Sequence, residues 1–488
     1  MVQVCTRTMT ARGRAALLGL SLLVTLGGCA SIGEPSVPLS STPDMPERWS
    51  IADPTGPEIE LQAYWQLLDD PLLDRFVQQA QSDNLDLAQA ASRLRLARSR
   101  LRETRAGRLP NISANAGVGR DVGDFAQDDL QLVLGADIAW EADLFGRISG
   151  SIDASEASLR AAGYTLADLE RAIVASVATQ TMTARSLSRQ LAISREALVN
   201  QEDNLQIARW RNQAGLVSSL DVEQARTQRA QTAASIPQLE SDLVATANVI
   251  STLIGEPPGE VYAALIADTR ALPVPPRSVG LAVPAEILRR RPDVSAAEAQ
   301  LAADLAQVGV ARAQLSPLVR LSGTVGSTAL GVDNLLDVIT GNLFAGITQL
   351  LFDGGRTRAQ IDGAQAIADG SLAAWRQSIL VALEEVETAS VRLDATDERV
   401  AAFVEASDGA RNAAILARSQ YEAGLIDFQT LLNVESALLS AETAEVSAEA
   451  ARAIAFINLA RALGGGWRSP QDIEAAIDAA IETGPQQP

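Results

Sequence analysis

Glu384, Glu385 and Glu387 place three carboxylates within about one helical turn, the raw material of a metal site. The partners that such chemistry needs are missing. The chain has no His and no Lys, so all 40 of its basic residues are Arg. That removes imidazole bases and ligands, Schiff-base amines and the phosphate-binding lysine of nucleotide loops. A Ser-His-Asp triad cannot be assembled. The glycine run from Gly117-Val118-Gly119 to Gly123 lacks the spacing and the following helix of a dinucleotide loop. These residues point to no catalytic centre, no metal and no cofactor, and the three glutamates read as helix facing water or a duct.

One thiol has a chemistry of its own. Arg7, Arg12 and Arg14 precede the apolar run AALLGLSLLVTLGGC, the layout of an export signal too short to be a membrane span. Its end, Leu26-Gly27-Gly28-Cys29, resembles a bacterial lipobox, in which small residues admit the signal peptidase and the thiol receives diacylglycerol. Cys29 is therefore the expected lipidation site. Ala30, rather than Asp, follows it, which by the same resemblance directs sorting to the outer membrane. The only other cysteine, Cys5, lies inside the signal, so no disulfide framework is expected.

The elements behind these residues are unusual for a globular protein. Of 488 residues 47% are apolar but only 4% aromatic, which is poor filling for a compact core. The net charge of −20 excludes phosphate neutralisation, hence nucleic acid as a partner, and favours cations in any cavity the chain lines.

The sequence also repeats itself. Gly215 and Gly424 are 209 residues apart, as are Arg147 and Arg356, and Gly255 and Gly464; Pro110 and Pro317, and Asp86 and Asp293, are 207 apart. The expected layout is a signal over 1–28, a lipid anchor and extended segment over 29–65, a first repeat over 66–255, a Pro-rich linker over 256–283, a second repeat over 284–464 and a tail over 465–488. In the first repeat we expect a helix from Pro71 to Ala106, strands at about 110–119 and 130–143, a long helix over 147–213 and a return helix over 216–254. In the second we expect a helix from Ala285 to Ala313, strands at about 317–326 and 342–353, a long helix over 356–422 and a return helix over 425–463. The long stretches contain no Pro, and about 68 residues of helix would run roughly 100 Å. Leu191, Leu198 and Leu205, and Leu159, Leu166 and Ile173, keep the heptad spacing of a coiled coil. The repeated Ala-Gly-Leu then marks each hairpin tip.

Between the helices, Leu130, Leu132, Leu134, Ala136, Ile138, Trp140 and Ala142 alternate with Gln131, Asp137, Glu141 and Asp143. Ile112, Ala114, Ala116 and Val118 oppose Ser113 and Asn115 in the same way, and Val319–Val325 repeats the pattern. Period-two alternation suits a strand with lipid on one side and water on the other. Four strands cannot close a barrel, and open edges are excluded from a bilayer. The chain must therefore oligomerise, and three copies would supply twelve strands and a usable lumen.

Taken together, the Cys29 lipobox, Asp70-Pro71, VPAEILRRRPDVSAAEAQL (Val283–Leu301), FGR (Phe145–Arg147), LFDGGR (Leu351–Arg356), the two Ala-Gly-Leu tips and LGGGW (Leu463–Trp467) resemble the TolC-type outer-membrane efflux factors. Specifically, they resemble the lipoprotein, NodT-like branch serving resistance-nodulation-division pumps. It implies a mostly α fold with a small β part, two tandem repeats, and a homotrimer with a 12-stranded outer-membrane barrel above a periplasmic helical tunnel. It implies a passive duct for small toxic compounds, docked to a periplasmic adaptor and through it to an inner-membrane pump. Gly215, Leu216, Val217 and Ser218, with Gly424, Leu425, Ile426 and Asp427, correspond to the adaptor-docking tips. Tyr421 and Asp221 correspond to a Tyr and an Asp that lock the tunnel entrance. Ile426 stands where some members carry Arg, and Asn433 where many carry Asp at the periplasmic gate. Two other readings remain at this stage: a coiled-coil lipoprotein that tethers envelope layers, and a duct for type I protein secretion.

Overall fold

The computed structural model describes residues 48–49, 60–120, 130–268, 270–277, 279–280 and 284–467. The signal, Cys29 and the tail beyond Trp467 lie outside the described residues. In chain order the elements are α1 (Pro71–Asp83), α2 (Leu85–Ala106), β1 (Asn111–Arg120), β2 (Leu130–Ala142), α3 (Arg147–Gln213), α4 (Ser219–Leu253), α5 (Glu260–Ala267), α6 (Pro284–Arg290), α7 (Pro292–Ala313), β3 (Leu318–Ala329), β4 (Thr340–Thr348), α8 (Arg356–Glu422) and α9 (Phe428–Ala462). The chain divides into two compact units. One holds Arg100–Ala157 and Leu301–Ser371; the other holds the described parts of 40–99, 158–300 and 372–488.

The first unit carries a single antiparallel sheet of order β1-β2-β3-β4. Its registers align the alternation read from sequence across all four strands. Ile112, Ala114, Ala116 and Val118 lie opposite Ile138, Ala136, Leu134 and Leu132. Trp140, Ile138 and Ala136 lie opposite Leu321, Gly323 and Val325, and Val319, Leu321 and Gly323 opposite Ile347, Ala345 and Leu343. Because side chains alternate between faces, this is one apolar surface, and most of its large residues are exposed. The other face carries Ser113, Asn115, Asp137, Glu141, Arg320, Ser322, Thr324 and Asn342, with Asn115 Nδ2 donating to Asp137 Oδ2 at 3.0 Å.

The same unit holds the N-termini of the long helices. Asp143 accepts from the backbone N–H groups of Ile148 and Ser149 and from the Ser149 hydroxyl, and Asp353 accepts from Thr357 in the same way. Each carboxylate caps the orphan amides of a 67-residue helix.

In the second unit the helix expected over Pro71–Ala106 is two helices, broken at Asn84. The Asn84 side chain takes the place of the helical ladder. Its Oδ1 accepts from Asp86 N and Leu87 N, and its Nδ2 donates to the carbonyl of Leu253, the last residue of α4. The helix expected over Ala285–Ala313 is likewise split, at Arg291-Pro292, because proline has no N–H and forces its predecessor out of the helical region. Arg291 then repeats the task of Asn84, donating through Nη1 to the carbonyl of Ala462, the last residue of α9. The connector expected over 256–283 contains a helix, α5, in the run Glu260–Ala267 between its prolines.

Two buried arginines fasten this unit. Arg185 spans both oxygens of Asp70 at 2.5 and 2.7 Å and reaches Asp268 at 3.0 Å, with only 3% of its side chain exposed. Arg291 makes a two-pronged contact with Asp293 and also holds Glu385 at 2.6 Å. One member of the glutamate run is thus an ion-pair partner, and no metal-holding group occurs among the described residues. Burial by itself would raise the Asp293 and Asp268 carboxyls, but hydrogen bonds and charge from Arg291 and Arg185 bring both below the ordinary range. A depressed carboxyl contributes stability that is complete above the unfolded value of about 3.9 and drains away as pH falls through the folded value. Unfolding by denaturant, read by helix signal, should therefore show this contribution intact at pH 5 and lost progressively below about pH 4.

All four hairpin helices end alike. Gly215, Gly424, Gly255 and Gly464 adopt φ of 72°, 72°, 75° and 85°, and the residue after each closes a six-residue turn, as in Leu216 N to Arg211 O and Leu425 N to Gln420 O. The surroundings differ. A Cβ on Gly215 would meet nothing within 4 Å, whereas one on Gly255 would lie 2.5 Å from the Asp83 carbonyl. Gly215→Ala should cost about 1 kcal/mol through its left-handed conformation. Gly255→Ala should cost about 3 kcal/mol, because backbone must also move. Thermal unfolding of the two variants checks the ranking.

Candidate functional site

At the two tips the long helices stop at Gln213 and Glu422, and the return helices start at Ser219 and Phe428. That is three residues later than the expected 216 and 425. Leu216-Val217-Ser218 and Leu425-Ile426-Asp427 are spent on the turn, and the third of each trio is the N-cap. Ser218 and Asp221 form a capping box, with Ser218 N donating to Asp221 Oδ2 at 3.2 Å, while Asp427 Oδ1 accepts from Thr430 N at 2.7 Å. Hydrogen bonds from Thr430 hold the Asp427 carboxyl below the usual carboxylate value. The leucines of the turns are freed by this arrangement: Leu216 is 74% and Leu425 75% exposed. Each tip thus carries a single exposed leucine on a turn closed by a left-handed glycine and an N-cap.

Behind the tips lies a small core of Leu205, Ala208, Ala225, Ala417, Tyr421, Phe428, Leu431 and Leu432. Tyr421 is buried in it, its ring 5.3 Å from Phe428 and the Arg211 guanidinium 4.4 Å above. Its hydroxyl has no hydrogen-bond partner among the described residues. Within one chain Tyr421 and Asp221 are not joined, since the Asp221 carboxylate closes its own helix cap. Asn433 is exposed and accepts from Gln429 Nε2 at 2.8 Å.

Sequence reasoning missed the polar seam above this core. Asn204 and Arg418 both hold Glu435, and Arg411 holds Glu442, alongside a cavity of about 490 Å³ between α3, α8 and α9. The available signal was Gln201 and Asn204, polar residues that interrupt the run from Leu198 to Leu205.

The barrel expectation concerns the other unit, where the strand ends need correction. β4 runs from Thr340 to Thr348 rather than over 342–353, β3 extends to Ala329 rather than 326, and β2 stops at Ala142. Leu351 and Phe352, counted as strand from sequence, follow the ladder and are 91% and 89% exposed. No helix among the described residues is long and apolar enough to cross a membrane. The continuous apolar surface of the sheet is the feature that suits lipid, whereas its two outer edges, unpaired among the described residues, need strand partners before they can enter it.

With this geometry in view, the comparisons with known proteins are direct. The family model described as outer membrane efflux protein matches residues 76–256 and 283–465, one match for each repeat. The pyoverdine export outer membrane protein OpmQ of Pseudomonas aeruginosa is 30% identical over 92% of this chain and 96% of its own length. The probable outer membrane lipoprotein SilC of Salmonella typhimurium is 26% identical over 92% of this chain and 98% of its own. Among solved structures, the outer-membrane channel OprN superposes with a TM-score of 0.78 at 34% identity, covering 87% of this chain and 99% of that one. Such proteins are transporters rather than catalysts, and trimeric channels of tripartite export systems. On the match of both repeats and the shared fold, the chain belongs to the outer membrane efflux protein family and is an outer-membrane channel component of an efflux system.

Proposed function

We propose that this chain is a passive homotrimeric duct that carries small toxic compounds across the outer membrane, driven by an inner-membrane pump reached through a periplasmic adaptor. The observation that carries this reading is the sheet itself: a continuous apolar face on four strands whose outer edges lack strand partners among the described residues. Three copies give twelve strands, enough for a water-filled lumen lined by Ser113, Asn115, Asp137, Glu141 and Arg320. Purified protein should be a trimer in mild detergent and should conduct ions across a planar bilayer. A folded monomer that stays dispersed without surfactant would overturn the proposal.

The adaptor contact is assigned to Leu216 and Leu425 with the surrounding Gly215, Val217, Ser218, Gly424, Ile426 and Asp427. Lipidation at Cys29 adds a second hold on the membrane. The gate is assigned to Tyr421, Asp221 and Asn433. The unpartnered Tyr421 hydroxyl supports this, since a movement of the tip that uncovers it would let it donate to Asp221 of a neighbouring copy. A hydrogen bond worth about 1 kcal/mol biases a closed–open equilibrium about fivefold. Joint substitution of Tyr421 and Asp221 by Ala should therefore raise the resting conductance of single channels several-fold, and an unchanged current would remove these residues from the gate.

A further inference from the structure

Where β2 runs into α3, the first unit holds a cavity of about 350 Å³ lined by Glu141, Asp143, Phe145, Arg147, Leu318 and Arg320 among others. Its size suits a small ligand. Strand parity fixes which side it opens on. Leu318 and Arg320 alternate with Val319 and Leu321 of the apolar surface, and Glu141 lies directly opposite Arg320. The cavity therefore belongs to the polar face, the one that carries Asn115, Asp137 and Thr324.

Three of the four charged side chains lining it are already committed. Arg147 grips Glu141 with two prongs, Nε to Oε1 at 2.8 Å and Nη2 to Oε2 at 2.7 Å. Asp143 spends both oxygens on Ile148 N, Ser149 N and the Ser149 hydroxyl, and its charge sits at the positive end of the 67-residue α3. Arg320 is the exception. It is exposed and makes no ion pair or hydrogen bond among the described residues. Its cross-strand neighbours give the reason. Glu141 is taken by Arg147, while Gly346, opposite on β4, has no side chain, and the Phe344 ring that lies over this glycine offers no carboxylate. Asp137 is opposite Thr324, about 13 Å along β3 from Arg320, and accepts from Asn115. In a chain of net charge −20, a guanidinium left free beside a cavity is a departure that calls for an anion.

We infer that this cavity binds small aromatic carboxylates and that Arg320 holds their charge. A planar guanidinium with its donors free matches a carboxylate in a two-pronged fit. Phe145 and Leu318, which line the same cavity, give an aromatic ring an apolar surface to lie against. An organic cation finds no equivalent partner, because the oxygens of Glu141 and Asp143 are occupied. The site is complete within one chain. Its place in a lumen rests on the duct reading above, under which three copies set three guanidiniums where the strands meet the long helices. Anionic cargo, repelled by an acid-rich chain, gains a holding point there.

Equilibrium dialysis of 2-naphthoate against the full chain in mild detergent tests it, with empty micelles as the blank. Binding should saturate and be at least about tenfold tighter than that of 2-naphthylmethylammonium, which has the same rings and the opposite charge. Arg320→Gln should weaken naphthoate at least about tenfold. Arg356→Gln, which deletes an exposed arginine at the matching joint of the second repeat, should weaken it less than about twofold. Phe145→Leu should weaken naphthoate at least about threefold and leave cyclohexanecarboxylate unchanged. A measurement on the unsubstituted protein locates the site without relying on the folding of any variant. Saturating naphthoate should slow phenylglyoxal modification of Arg320 several-fold, read by mass spectrometry, and leave Arg356 unaffected. Equal binding of the two naphthyl probes, equal losses at Arg320 and Arg356, or no protection of Arg320 would overturn the site, and an unchanged Phe145→Leu would overturn its preference for aromatic rings. Currents across a planar bilayer from the same preparation keep site and duct apart. Conduction without naphthoate binding removes the site and leaves the duct; binding without conduction removes the duct and leaves the site.

Discussion

Leu134→Arg is expected to prevent stable assembly, while the same charge at Ser113 is tolerated. Leu134 sits midway along β2, between Ala116 on one side and Ser327 on the other, on the apolar face. An arginine facing lipid at the middle of a barrel strand costs about 2–4 kcal/mol, and a three-copy ring incurs that cost three times. Ser113 lies on the opposite face and opposite Asp137, where a guanidinium meets water and a carboxylate. Resistance of the assembled form to dissociation in heated detergent gives the comparison. Equal losses from the two variants would mean that the sheet does not separate lipid from water. The pair is informative because the introduced side chain is the same and the two positions lie on opposite faces of the sheet.

Arg185→Ala is the second large effect. The guanidinium and the Asp70 carboxylate are 3% and 2% exposed, and Asp70 also caps α1 through Leu72 N and Leu73 N. Removing the cation strands a carboxylate that water cannot reach. Breaking one side of such a pair costs about 3–5 kcal/mol. Arg195→Ala, which deletes an exposed arginine paired with Glu240, should change stability by no more than about 0.5 kcal/mol. Denaturant unfolding followed by helix signal distinguishes the two, and a small loss at Arg185 would show that the packing around Asp70 admits solvent.

What could be read from sequence was whatever a short period writes. The duplication showed in paired glycines, because each hairpin needs a left-handed residue at its end. The sheet faces showed in Leu130–Ala142, because strand geometry has a period of two. The missed features depend on residues far apart in the chain. The break at Asn84 is set by a carbonyl 169 residues away at Leu253, and no local propensity separates it from any other polar residue in a helix. Asp70 was visible as a motif beside Pro71, but its clasp with Arg185 spans 115 residues. The return helices were begun too early at 216 and 425 because an exposed leucine in a turn looks like the first residue of an apolar stripe. The end of β4 was placed too late for a different reason: Leu350-Leu351-Phe352 has the composition of a strand, yet no strand among the described residues pairs with it.

The two bare margins of the sheet also bear on inheritance. A ring of three needs each member to offer a sound margin on both sides, so one copy with a blocked margin spoils a seam and leaves the ring unable to close. In a cell making equal amounts of intact subunits and subunits with a blocked margin, random mixing leaves about one ring in eight free of defects. A lesion there would therefore behave as dominant, whereas one that merely unfolds the helices before they meet would be recessive.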